Sequence, residues 1–200
     1  IRKNAFGKFG DLLLASATSP AMLVYLDNHL NVKGVPNENY AREIMELHSL
    51  GVDGGYTQKD VQELARVLTG WTLKNPRRNP AGSMDYTEAG KFEFNARQHD
   101  DKPKTVLGVT LPGNGGINEG LKMIDVLANH PSTARFVTKR LIMRYVSDTP
   151  PDALWQRAAQ TFTQTKGDMR AVLSVILHSD EFKNSFAQKI KRPFELVVSM

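Results

Sequence analysis

The chain contains no cysteine. Disulfides, thiolate metal sites and cysteine nucleophiles are therefore excluded, while the cellular compartment stays open. Long apolar runs are also missing: the longest, around Leu12 to Ala15, is interrupted by Gly10 and Ser16, far short of the roughly 20 residues that cross a bilayer. There is no Gly-x-Ser-x-Gly elbow, and neither Ser83 nor Ser132 has a persuasive partner, so serine catalysis has no support. Gly113-Asn-Gly-Gly116 is not followed by Lys-Ser/Thr, which argues against a nucleotide enzyme. An excess of one charge is lacking too. Lys and Arg number 26 against 21 Asp and Glu, a net of +5, which favours an anionic partner only weakly. Lys74, Arg77 and Arg78, and again Lys189, Lys191 and Arg192, could grip an anion, but neither group interleaves aromatics, which argues against a nucleic-acid surface.

What is present suits one globular domain: 200 residues, 40% hydrophobic and 24% charged, enough to bury most of the surface of the unfolded chain. The pattern is helical. Ser19-Pro20 places proline at a first helical position, Thr57 to Asp60 forms a capping-box start, and Val61, Leu64, Ala65 and Leu68 follow at the spacing of one helix face. Gly70 is the stop. Asn118 and Pro131 open two further helices, the second with Phe136, Val137, Leu141 and Tyr145 predicted inside, and two more follow Pro150-Pro151. From Lys74 to Gly116 the helical period disappears among prolines and glycines; Lys91 to Phe94 and Lys104 to Leu107 are expected to pair as a small hairpin or stay irregular. The fold class expected is all-α: a single multi-helix domain over residues 1–200 with one long irregular excursion over 74–116.

The densest chemistry lies between Pro36 and Trp71. Asn37 is predicted to open a helix that carries Glu43, Glu46 and His48 and ends at Gly51. Glu43 and Glu46 are three residues apart and project from one face; they could act as acid and base or hold a divalent cation. The bland alternative is a helix face held by an Arg42–Glu46 pair. His48 is not spaced as a Glu-x-x-His metal pair. Asn37, Asn39, Arg42 and His48 add ligand-binding groups. The second candidate is His99-Asp100-Asp101 with Lys104 close behind. An imidazole beside carboxylates suits proton transfer, although a loop histidine next to aspartate is more often only solvated. Trp71 either walls a ligand site or packs in the core.

Asn37-Glu-Asn-Tyr-Ala-Arg-Glu43, Tyr56-Thr57 with Asp60-Val61, Leu68-Thr-Gly-Trp71, Phe92-Glu-Phe-Asn95 with His99-Asp100 and Lys104, and Arg192-Pro-Phe-Glu195 together resemble the bacterial family called domain of unknown function 1800. The resemblance runs through nearly the whole chain in the family's order. It implies a mainly helical protein of the bacterial periplasm, envelope or exterior, made with an export signal, of which this chain forms the C-terminal portion. It assigns no biochemistry.

The expectation is a ligand-binding or cell-envelope component whose polar pocket is shared by the Asn37 to His48 helix and the His99 loop. The alternative is a hydrolase or lyase on envelope or extracellular polymers, with Glu43 or Glu46 as base, His99 as acid, Asp100 beside it, and with or without an assisting divalent cation. A third reading is a helical scaffold whose polar residues only fix loops.

Overall fold

The computed structural model describes residues 1–80, 82–186, 188 and 193–199; Lys189, Lys191 and Arg192, the second basic group, lie outside them. In chain order the elements are α1 (Phe9–Ala17), α2 (Pro20–Tyr25), α3 (Asn39–Glu46), α4 (Gln58–Val67), β1 (Trp71–Leu73), β2 (Arg77–Arg78), β3 (Met84–Asp85), β4 (Phe92–Phe94), β5 (Lys104–Val106), β6 (Val109–Leu111), α5 (Ile117–Ala128), α6 (Pro131–Tyr145), α7 (Asp152–Gln164), α8 (Met169–Leu177), α9 (Asp180–Asn184) and α10 (Pro193–Val198).

Helix starts follow local chemistry. Thr57 Oγ1 accepts from the Asp60 N–H at 3.2 Å, and Asp60 Oδ2 accepts from the Thr57 N–H at 2.8 Å. This reciprocal cap contributes about 1 kcal/mol. It also orients α4 so that Val61, Leu64, Ala65 and Leu68 are all buried. Pro131 is the first residue of α6, and the side chain of His130 caps it by accepting from the Ser132 N–H at 3.2 Å. α6 packs on α7 and α7 on α8, while α1 packs on α5 and α3 on α4, so one apolar core runs through the helices.

Four expectations are corrected. The fold is helix-dominated but mixed: in place of the one small hairpin or irregular chain expected, the segment from Trp71 to Leu111 holds three small antiparallel ladders, β1 with β4, β2 with β3, and β5 with β6. The two segments expected to pair with each other do not. Phe92–Phe94 pairs back to Trp71–Leu73, whereas Lys104–Val106 turns on itself through Leu107 and Gly108, both at positive φ (50° and 75°), as a two-residue hairpin turn of type I′ requires. α3 ends at Glu46 rather than near Gly51. His48 therefore sits in the following turn, where its N–H reaches the Glu43 carbonyl at 3.1 Å. Tyr145, expected inside, is the last residue of α6 and is 45% exposed, while Ile142 and Val146 on either side of it are buried.

Candidate functional site

Three segments meet around one buried carboxylate. α4 is followed by the turn Leu68-Thr69-Gly70, the loop 95–103 with the start of β5 returns against that turn, and the first turn of α5 supplies Glu119. Gly70 allows the meeting: its φ is +78°, and an added Cβ would lie 2.5 Å from the Asn95 carbonyl oxygen. In that space the Asn95 N–H donates to Gly70 O at 2.8 Å. The Asp100 N–H donates to Thr69 Oγ1 at 2.8 Å, and Thr69 Oγ1 donates to Arg66 O at 2.6 Å.

The side chains follow from that backbone. His99 is fully buried; its Nδ1 hydrogen goes to the Thr69 carbonyl at 2.9 Å, its Nε2 faces Glu119 Oε2 at 3.3 Å, and the ring meets Phe94 edge-on. Lys104 Nζ donates to Glu119 Oε2 at 2.6 Å, to Lys102 O at 3.0 Å and to Asp100 O. Three donors meet three acceptors, so the ammonium is saturated. Glu119 Oε1 takes the Gly115 N–H at 3.0 Å. Burial raises the Glu119 pKa, but Lys104, the Gly115 N–H and His99 outweigh it and hold the carboxyl below its ordinary range. Asp100 is likewise opposed by burial, yet Arg66 Nε at 2.8 Å and the Lys102 N–H keep it low. Arg66 also holds Glu63 at 2.8 Å.

The structure thus brings together His99, Asp100 and Lys104 and joins them to Thr69, Arg66 and Glu119. Trp71 stands next to this group, fully buried; a Cβ on Gly120 would lie 2.3 Å from its ring, and Phe92 meets it edge-on. Its indole nitrogen has no hydrogen-bond partner among the described residues.

The α3 residues form a separate set. Asn37 Oδ1 accepts from the Asn39 N–H at 2.9 Å, and the Asn37 N–H donates to Asn31 Oδ1 at 2.9 Å. Asn39 Nδ2 reaches Leu26 O at 3.5 Å. Arg42 pairs with Glu38 at 3.1 Å and Gln58 at 2.8 Å, not with Glu46; the i−4 carboxylate and the start of α4 claim it first. Glu46 accepts from the Tyr56 hydroxyl at 3.5 Å. His48 is held below its ordinary pKa by burial, with Glu43 pulling the other way. The partners of His99 are Thr69, Glu119 and Phe94, and those of the α3 carboxylates are Tyr56 and His48. Asn31 bridges the backbones of the two sets, its Oδ1 accepting from the Asn37 N–H at 2.9 Å and its carbonyl from the Gly70 N–H at 3.0 Å, but among the described residues no hydrogen bond or ion pair joins their side chains directly. Nor, among the described residues, do three His, Asp or Glu side chains converge as a metal site would require.

Glu119 escaped the sequence reading, although a signal was available. It shares the buried stripe of α5 with Met123 and Leu127 at four-residue steps, and a carboxylate on an apolar stripe must find a partner inside.

An open cleft of about 590 Å³ lies elsewhere, between the turn 50–53, α6 and the segment 148–155. Gly51, at φ +85°, seats the turn against Phe136, whose ring would lie 2.7 Å from an added Cβ. Ser132 Oγ ties the turn down through Gly54 O at 3.0 Å. Trp155 Nε1 donates to Arg135 O at 2.8 Å, and the Arg135 guanidinium lies 4.2 Å from the centre of the indole ring. Arg135 and Lys139, four residues apart on α6, were not singled out from the sequence.

A family model described as a protein of unknown function (DUF1800) matches residues 1–200. No curated protein and no solved structure matches the chain.

Proposed function

The chain belongs to the DUF1800 family of proteins of unknown function, and from that premise we propose that it is a ligand-binding component of the bacterial envelope or exterior. In this reading the His99–Lys104–Glu119 group is a lock that fastens the loop 95–104 to α5, and the open cleft on α6 is where a ligand sits. One observation supports the division of roles. The hydrogens of the Lys104 ammonium and both oxygens of Glu119 are already taken by protein partners, and His99 and the Lys104 side chain are 0% exposed. A general acid needs a proton path to its substrate, and a saturated, enclosed imidazole offers none.

The lock is tested by diethyl pyrocarbonate, which acylates accessible imidazoles. In native protein His178, exposed on the surface, is expected to react readily while His99 stays unmodified until the chain unfolds, as read by peptide mass spectrometry. Comparable modification of both in folded protein would open the site to catalysis and remove this reading. Placement outside the cytoplasm rests on the family resemblance. Fractionation of the bacterium that makes the full-length protein is expected to recover it from the periplasm, envelope or medium; a purely cytosolic pool would contradict it.

A further inference from the structure

The face of α6 that lines the cleft carries three cations. Arg135, Lys139 and Arg140 line it, all exposed, and no ion pair or side-chain hydrogen bond engages them among the described residues. Each lies on an aromatic face: Arg135 at 4.2 Å and Lys139 at 5.1 Å from the Trp155 ring centre, Arg140 at 5.2 Å from that of Phe136. A guanidinium held over a ring face still has N–H donors to offer, and its forked donor pair matches the two oxygens of a planar oxyanion. The stacking also restricts rotamers, so less freedom is lost when an anion arrives. Trp155 is itself fixed by its bond to Arg135 O.

The remaining lining is not cationic. Asp53, Ser132 and Thr149 edge the same cleft, as does Asp148, which is already partnered within the protein. Carboxylate and hydroxyl groups beside an arginine fork suit a ligand that offers hydroxyls as well as an acid group. The concave shape and volume of about 590 Å³ fall in the range for a small-molecule site and fit a few linked rings better than a flat membrane or a duplex.

We propose that this cleft binds acidic saccharides, with the sugar carboxylate held by Arg135 and Arg140, Lys139 adding charge, and ring hydroxyls donating to Asp53. The proposal rests on the ligand-binding reading above and deepens it by naming the ligand class.

The experiment is calorimetric titration of the full chain with trigalacturonate, alongside neutral galactotriose, glucose 6-phosphate and inorganic phosphate. Trigalacturonate is expected to bind more tightly than about 1 mM at low salt and to weaken as salt rises; galactotriose is expected not to bind. R135A and R140A should each weaken binding by about tenfold or more, with thermal melts confirming that both variants remain folded. R140Q, which keeps the stem but not the charge, is the second check should R135A unseat Trp155. Tight binding of glucose 6-phosphate or phosphate with the same arginine dependence, and none of trigalacturonate, overturns the saccharide assignment while leaving the cleft a ligand site. Equal binding of the neutral sugar, or unchanged affinity in both arginine variants, overturns the proposal. If no probe binds at all, the ligand-binding reading falls with it.

Discussion

Glu119→Ala is expected to lower the unfolding free energy by about 3–5 kcal/mol, the range for removing one partner of a buried ion pair. The substitution strips Lys104 of its carboxylate at 2.6 Å and His99 of its neighbour at 3.3 Å, and neither group can turn to water because both are 0% exposed. Lys104→Met should also destabilise, since it leaves Glu119 ionised in the interior. The double variant Lys104→Met/Glu119→Met should cost clearly less than the two single changes combined, because an apolar pair of similar volume leaves no charge behind. Acid supplies an independent signature. The Glu119 pKa is lowered in the folded state relative to its ordinary 4.5, so its contribution is fully present above that value and is lost as pH falls through the folded pKa. The melting temperature of Glu119→Ala should therefore fall less steeply than that of the parent below about pH 4. Denaturant unfolding at neutral and acid pH measures both effects. A cost under about 1 kcal/mol at neutral pH, the level of an exposed ion pair, would mean that water reaches the cluster and that the lock does not exist.

The parts of this arrangement visible in the sequence are those with a local cause. Thr57 and Asp60 cap each other across three residues, and Pro131 opens α6 because its missing N–H costs nothing there. The helices and many of their buried faces could be read from such signals. The ladders could not. β1 and β4 are three residues each and lie about twenty residues apart, too short to show a period and joined by no turn chemistry that names the partner. The hairpin of β5 and β6 hides its turn in Leu107-Gly108, where leucine at φ 50° is not a residue that announces a left-handed position. The candidate site divides in the same way. His99, Asp100 and Lys104 stood out as polar residues clustered in a loop. Their real partners, Thr69 and Glu119, come from the end of one helix and the start of another, thirty and twenty residues away. The polar character of the α3 residues was equally plain, yet Asn37 and Arg42 turn out to hold the chain locally, through Asn39, Glu38 and Gln58. Residue type identified groups that needed partners; only tertiary packing decided which partners.

Gly70→Ala carries the second large effect and tests how the lock is assembled. Two costs add at this position. Alanine at φ +78° pays about 1–2 kcal/mol for the left-handed conformation. Its Cβ would also sit 2.5 Å from Asn95 O and 3.2 Å from the His99 nitrogen, and backbone atoms cannot rotate aside as a flexible side chain could; overpacking of this kind adds about 1–3 kcal/mol. The total expected is about 2–5 kcal/mol. Gly55→Ala separates the two terms, because Gly55 has φ +85° but nothing within 4 Å of an added Cβ, so only the conformational cost applies there. The difference between the variants in denaturant unfolding is then the cost of pushing the loop 95–104 away from the end of α4. That displacement has a chemical consequence as well as an energetic one. His99 hangs from Thr69 by its Nδ1 hydrogen and from the same loop by its backbone, so relieving the collision moves the imidazole away from Glu119. Gly70→Ala should therefore admit diethyl pyrocarbonate to His99 under folding conditions where Gly55→Ala does not. Equal unfolding costs for the two variants, with His99 protected in both, would show that the close approach at Gly70 does not position the buried cluster.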